Sequence, residues 1–305
     1  MKVFYNTEKA AGKIKNAVVT TGSFDGVHIG HKAIINRLNQ IARAIQGESV
    51  LITFHPHPRK VLYPEQRDLK LINTQEEKIE LLRKAGLDNL IIIPFSIEFS
   101  KTTSHDFVTS VLIGQLAARV VVVGHNHHFG HNREGDYSYL HTLSKEYHFD
   151  VEEIPLKDIE NETVSSTKIR RSLFEGNIQR ANAYLDHQYI MHGQLENSRL
   201  LLPEIDLHGL RLIVPEEEKL VPPPGIYATN LFLNTQCLKS MTLIPAVNGN
   251  RAVDISLVYD DPYLVTGHGT LYFYKKVSDL NMTDEKEALI RSWGGIKELV
   301  EELIY

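Results

Sequence analysis

The chain of 305 residues holds a single cysteine, Cys237. One thiol excludes an intramolecular disulfide and a cysteine-rich zinc site. There is no excess of positive charge, since 33 Lys+Arg against 38 Asp+Glu leave a net charge of −5. That balance argues against a broadly basic nucleic-acid binder. No apolar run approaches the length of a membrane span; the longest, around Leu90–Phe95 and Val120–Val123, are strand-sized. Met1–Asn16 carries no apolar signal core, so a cytoplasmic protein without a membrane partner is expected. Internal repeats and low-complexity linkers are also missing. What is present is ordinary globular material, 42% hydrophobic and 23% charged, and the length suggests two domains. One count is uneven: 11 of the 15 histidines lie in the first 150 residues.

The first 185 residues alternate strand-like and helix-like patterns. Strands are expected at Ala17–Thr21, Ser49–Phe54, Asn89–Pro94, Arg119–Val123 and Val151–Ile154. Helices are expected at His31–Gln46, at Thr74–Ala85 with the capping box Thr74-x-x-Glu77, from a Ser104 cap toward Gly114, and at Ser138–Tyr147, Lys168–Phe174 and Ile178–Leu185. This alternation predicts a doubly wound parallel sheet, with ligands beyond the C-terminal strand ends. After Asp186 the pattern becomes that of short antiparallel strands, at Tyr189–Leu195, Gly225–Leu233, Met241–Val247, Ala252–Tyr259 and Gly269–Val277. A final helix, capped by Thr283, is expected over Asp284–Glu302. A small β-barrel with a C-terminal helix is the reading, and the domains are set at 1–186 and 187–305.

The loop after the first strand reads Gly22-Ser23-Phe24-Asp25-Gly26-Val27-His28-Ile29-Gly30-His31. Its glycines allow a turn close to a ligand, and a helix N-terminus favours an anion. His28 and His31, three apart, share one helix face and suit charge growing on a triphosphate. The Gly-Lys-Ser/Thr ending of a Walker loop is absent. Metal binding by the pair lacks a matching carboxylate or thiolate, so no metal ligand is assigned. The spacing His-x-Gly-His, after a buried strand and opening a helix, resembles the signature of nucleotidyltransferases that transfer an adenylyl or cytidylyl group.

Three further segments narrow the resemblance. Phe54-His55-Pro56-His57-Pro58 resembles the Phe-x-Pro-His-Pro motif of bacterial FAD synthetases. Gly124-His125-Asn126-His127-His128-Phe129-Gly130, with Gly135-Asp136 downstream, resembles their Gly-x-Asn/Asp-Phe-x-Phe-Gly segment. Ser165-Ser166-Thr167-Lys168-Ile169-Arg170 resembles their Ser-Ser-Thr-x-Ile-Arg segment. Together, in order over about 185 residues, these resemble the FMN adenylyltransferase module of the bifunctional riboflavin kinase/FAD synthetase family. The resemblance implies ATP and FMN as substrates, FAD as product and Mg2+ with ATP. It implies that Gly22, Ser23, Phe24, Asp25, Gly26, His28 and His31 bind ATP. Ser166, Thr167 and Arg170 hold the leaving pyrophosphate, with His28, His31 and Arg170 catalytic. Pro56, His57, Pro58 and Asn126 line the flavin side. His127 and His128 stand where many relatives carry Phe or Arg.

The barrel resembles the family's riboflavin kinase, but with parts missing. Pro224-Gly225-Ile226-Tyr227-Ala228 resembles a family segment. The Gly-x-Pro-Thr-Ala-Asn segment is absent from the corresponding Leu202–Leu212, and Val247–Arg251 lacks the Pro-Thr of a second segment. Asp254 stands nearest the catalytic glutamate and reads more simply as an exposed strand residue. Loss of kinase activity is expected. The alternatives are a fully bifunctional enzyme that also takes riboflavin, a nucleotidyltransferase for another phosphorylated substrate, and a non-enzymatic flavin- or nucleotide-binding regulator.

Overall fold

The computed structural model describes all residues except 66–68, 126, 156–157, 160–161, 200–207, 246–251, 259–266, 280–294, 296 and 304–305. By contacts the chain forms two units: Met1–Leu69 with Lys78–Val164, and Lys70–Glu77 with Ser165–Tyr305. Among the described residues no helix is long and apolar enough to cross a membrane.

The first unit is built on six parallel strands: β1 (Lys2–Phe4), β2 (Val18–Thr21), β3 (Ser49–His55), β4 (Asn89–Pro94), β5 (Val120–Gly124) and β6 (Asp150–Ile154). They lie in the order β1-β4-β3-β2-β5-β6, and every neighbouring pair is parallel. The central strands are apolar on both faces because helices cover both. One face packs Val19, Val50, Ile52, Ile91, Val121 and Val123 against Phe107, Val108, Leu112, Leu140 and Leu143. The other packs Val18, Val120 and Val122 against Leu38 and Ala42. The helices are α1 (Thr7–Ala10), α2 (Ile29–Ala44), α3 (Pro58–Leu62), α4 (Gln75–Lys84), α5 (Ser104–Asp106) and α6 (Tyr137–Tyr147). The helix expected from Ser104 is instead capped by Thr103, whose side chain accepts from the Asp106 N–H, and continues as a π-helix over Phe107–Gln115. Asp136 caps α6 in the same way. A two-strand hairpin of β7 (Asp158–Ile159) and β8 (Glu162–Thr163) follows.

The second unit opens with α7 (Ser166–Phe174) and α8 (Ile178–Leu185). Its strands are β9 (Tyr189–Arg199), β10 (His208–Ile213), β11 (Gly225–Leu233), β12 (Gln236–Ile244), β13 (Ala252–Leu257) and β14 (Gly267–Ser278). They close into a barrel, β10-β13-β12-β11-β14-β9. Closure removes the unpaired edges that an open sheet would expose. β10 was not expected from the sequence. Residues 297–303 are helical, and Val300 and Leu303 pack on Ile226, Ala228, Met241 and Leu243. The expected start of that helix, with Thr283 and Asp284, lies outside the described residues.

Residues 70–77 cross to this unit and are locked there. The Lys219 ammonium and the Glu77 carboxylate form an ion pair with no exposed side-chain surface. Lys219 also donates to the carbonyls of Ile72 and Ile190, at 2.7 Å each. Glu77 completes the capping box at 2.9 Å from the Thr74 N–H, and its other oxygen accepts from the His192 N–H at 2.9 Å. A buried ion pair is tolerated when its remaining donors and acceptors are met in this way.

Candidate active site

β2 lies between β3 and β5, where the strand order reverses, and such a reversal opens a crevice beyond the strand ends. The chain leaves β2 through a tight turn. Phe24 (φ 47), Gly26 (φ 91) and Val27 (φ 42) all take left-handed backbone conformations. That region is easy for glycine and strained for a β-branched residue. Val27 is fully buried, and Phe24 and Asp25 nearly so, which holds the strained turn in place. Above it the Phe24, His31 and His28 rings form one stack. Phe24 and His31 centroids lie 4.3 Å apart and the two imidazoles 3.6 Å apart. A Cβ at Gly30 would sit 3.2 Å from the His28 ring, so glycine leaves room for that ring over the first helical turn.

His28 is the N-cap of α2, its Nδ1 accepting from the His31 N–H at 3.4 Å. The imidazole itself therefore takes one N–H of the first turn. An accepting Nδ1 assigns the proton of neutral His28 to Nε2. Burial of the His31 ring, with positive charge from His28 and Lys78 adding to it, pushes its pKa well below the ordinary histidine value. His31 therefore works as a neutral imidazole, a hydrogen-bonding group rather than a cation.

A cavity of about 1170 Å³ opens beside the turn. The ends of four strands and the segments after them line it: Thr21, Gly22 and Ser23 at β2, Phe54 and His57–Arg59 at β3, Phe95 and Phe99 at β4, and His127–Arg133 at β5. Phe54, Phe95 and Phe99 pack with centroids 5.7 to 5.9 Å apart. With Phe107 and Phe129 they make an aromatic wall suited to a flat ring. Sequence reasoning missed this wall because its members are scattered along the chain; Phe54 and Phe129, each inside a motif, were the available signals. Arg59 and Arg133, also on the lining, were missed as well.

The expected flavin residues are placed unevenly. His57 and Pro58 line the cavity. His57 caps α3, its Nδ1 accepting from the Arg59 N–H at 3.2 Å, and Pro58 occupies the first turn. Pro56 is exposed and is not among the lining residues. Asn126 lies outside the described residues. Of the expected ATP residues, Gly22 and Ser23 reach the cavity, while Phe24, Asp25, Gly26 and His28 are buried in the turn.

The histidine-rich loop is pinned at several points. Phe129 and Gly135 exchange backbone hydrogen bonds at 3.0 Å, and His131 Nδ1 lies 3.1 Å from the Ser100 carbonyl. Gly130 has φ 76, and a Cβ there would lie 2.6 Å from the Ser104 backbone nitrogen. His125 turns to Glu153, at 3.1 Å. Among the described residues no three His, Cys, Asp or Glu side chains group so as to hold a metal ion.

In the second unit, Ser165 caps α7 by accepting from the Lys168 N–H. Ser166 and Thr167 therefore open the helix rather than precede it. Thr167 is exposed, and Ser166 and Arg170 are half-buried. Asp254 corrects an expectation. It is buried rather than exposed, because Arg211 on the neighbouring strand holds its two oxygens at 2.8 and 3.2 Å. Most of the barrel segments in which kinase motifs were expected to be missing, residues 202–207 and 247–251, lie outside the described residues.

Residues 11–168 match the family model described as FAD synthetase. A bifunctional riboflavin kinase/FMN adenylyltransferase of Listeria monocytogenes is 30% identical over 234 residues, covering 75% of this chain and 72% of that one. An FAD synthetase of the same organism is 30% identical, covering 79% of this chain and 87% of that one. A crystal structure of a macrolide-efflux protein from Streptococcus pneumoniae has the same fold, with TM-score 0.85 over 98% of both chains at 22% identity. With more than half its length matched, and in the segments that form the turn and the cavity, the chain belongs to the FAD synthetase family.

Proposed function

We propose that the chain transfers the adenylyl group of ATP to FMN, giving FAD and pyrophosphate. The observation that carries this reading is the sharing of Gly22 and Ser23 between an aromatic cavity and the turn that presents the His28–His31 stack. The FMN phosphate is already an anionic nucleophile, so no activated serine or cysteine is required. One phosphate oxygen bonds the α-phosphorus of ATP as the bond to the bridging oxygen breaks, and pyrophosphate carries away the electron pair. Catalysis is positioning and charge stabilisation. His28 and His31 supply hydrogen-bond donors to the triphosphate, His31 as a neutral ring, Gly22–Gly26 cradle the nucleotide, and Pro56, His57, Pro58 and Asn126 serve the flavin. Ser166, Thr167 and Arg170 are assigned to the departing pyrophosphate. Mg2+ enters as part of the ATP substrate, held by its phosphates.

In this reading 1–186 is the adenylyltransferase domain of a cytoplasmic enzyme and 187–305 a riboflavin-kinase-like barrel. Asp254 has both oxygens engaged by Arg211, which supports the view that it no longer serves as a base. The test is FAD formation from FMN and ATP by the purified chain, with His28→Ala as control. Absence of FAD from folded protein refutes the reading. Supplying riboflavin and ATP tests the barrel, where robust FMN formation would overturn the loss of kinase activity.

A further inference from the structure

One side chain of the cavity wall has no part in the chemistry above. His127 lines the cavity and stacks on Phe129, with ring centroids 5.8 Å apart and planes 20° from parallel. Its backbone N–H donates to the Gly124 carbonyl at 2.9 Å, which anchors it at the end of β5. Its Nε2 is buried and, among the described residues, has no hydrogen-bond partner. Buried polar atoms are rarely left unmatched, and one on a cavity wall calls for an explanation. Burial, with His128 adding to it, lowers the His127 pKa to about 4, so the ring is neutral at physiological pH. A neutral imidazole offers one N–H and one lone pair and has no charge to draw a phosphate. The rings around it, Phe107 and Phe129 among them, are hydrocarbon and hold a flat ligand without reading its heteroatoms.

We infer that His127 is a specificity-determining residue, its imidazole nitrogen forming a hydrogen bond with the heteroatom edge of the flavin ring. This rests on the FMN reading above. A flavin edge carries both carbonyl acceptors and an N–H donor, so either tautomer of His127 finds a match. A phenylalanine in the same place would stack and not select.

The test titrates FMN into the full chain by quenching of flavin fluorescence, and measures KM for FMN and ATP in the forward reaction. His127→Phe keeps a flat ring and removes the nitrogen. It is expected to raise the FMN Kd and KM about tenfold, with the ATP KM within about twofold. His127→Gln, which restores a donor and an acceptor, is expected to recover part of the loss. Simple loss of packing would not produce that recovery, because glutamine replaces the ring poorly. Equal FMN affinity in the unmodified chain and His127→Phe overturns the inference and leaves the adenylyltransferase reading standing. Failure of the unmodified chain to bind FMN overturns that reading and this inference with it.

Discussion

The neutral histidines of the first unit make it acid-labile, and the size of the effect follows from His127. In the folded chain its pKa is about 4; in the unfolded chain it returns to the ordinary value of about 6.5. Between these values the unfolded chain binds the proton and the folded chain does not, so acid favours unfolding. The stability is whole above about pH 6.5 and is lost as pH falls toward 4. Integrated, the loss is about 3 kcal/mol in full and about 2 kcal/mol between pH 7 and pH 5. His31, lowered for the same reason, adds a loss of the same sign. The assay is urea unfolding followed by circular dichroism at pH 7, 6 and 5, on the unmodified chain and on His127→Phe. Phenylalanine does not titrate, and the other groups act in both proteins. The difference in pH dependence between the two therefore isolates His127. The variant should lose about 2 kcal/mol less than the unmodified chain over that range. Identical slopes would show that His127 titrates normally in the folded state and would refute the reasoning.

His28→Asn separates the two duties of His28. Asparagine is a good N-cap, so stability should fall by well under about 1 kcal/mol while FAD formation drops on the order of 10² to 10³-fold; unchanged turnover would remove His28 from the chemistry. Arg170→Ala should lower turnover more than it weakens FMN binding, measured by steady-state kinetics beside fluorescence titration, and equal losses would contradict its assignment to pyrophosphate. Gly130→Ala places a methyl 2.6 Å from the Ser104 backbone at φ 76. It should cost at least about 2 kcal/mol in unfolding experiments and weaken FMN binding. Lys219→Met strands the Glu77 carboxylate in a site with no exposed surface. A loss of about 3 to 5 kcal/mol is expected by thermal or urea unfolding, and adding Glu77→Gln should restore part of it.

Much of the first unit was legible because its signals are local. A run such as Val120–Val123 reads as a strand covered on both faces, and Asn89–Pro94 was bounded correctly. The Thr74–Glu77 capping box formed as its spacing required. What stayed hidden depends on partners remote in sequence. β1 is three residues long and exists because β4 offers it an edge. Strand β10 lay in a stretch weighed for missing kinase residues, and its hydrogen bonds are supplied by β9 and β13. Asp254 looked exposed because alternation along one strand says nothing about Arg211, 43 residues away. The aromatic wall was hidden for a related reason: Phe54, Phe95 and Phe99 meet because strand order places three loop ends together.

The histidine excess and the acidic net charge are two sides of one arrangement. Eight of the 11 N-terminal histidines lie at the ends of β2, β3 and β5 or in the segments that follow them. If these rings served as cations, a chain of net charge −5 would be compensating locally for its own repulsion of ATP. At the two positions where burial decides the matter, His31 and His127, the rings are held neutral instead. Neutral imidazoles recognise by direction rather than by charge, and their hydrogen bonds survive salt better than exposed ion pairs do. A substrate carrying several negative charges and a flat heteroaromatic ring can then be held at its phosphates by capped, stacked donors and at its ring by His127. In the proposed function neither contact requires the surface to turn basic, so a net charge of −5 does not count against a polyphosphate substrate.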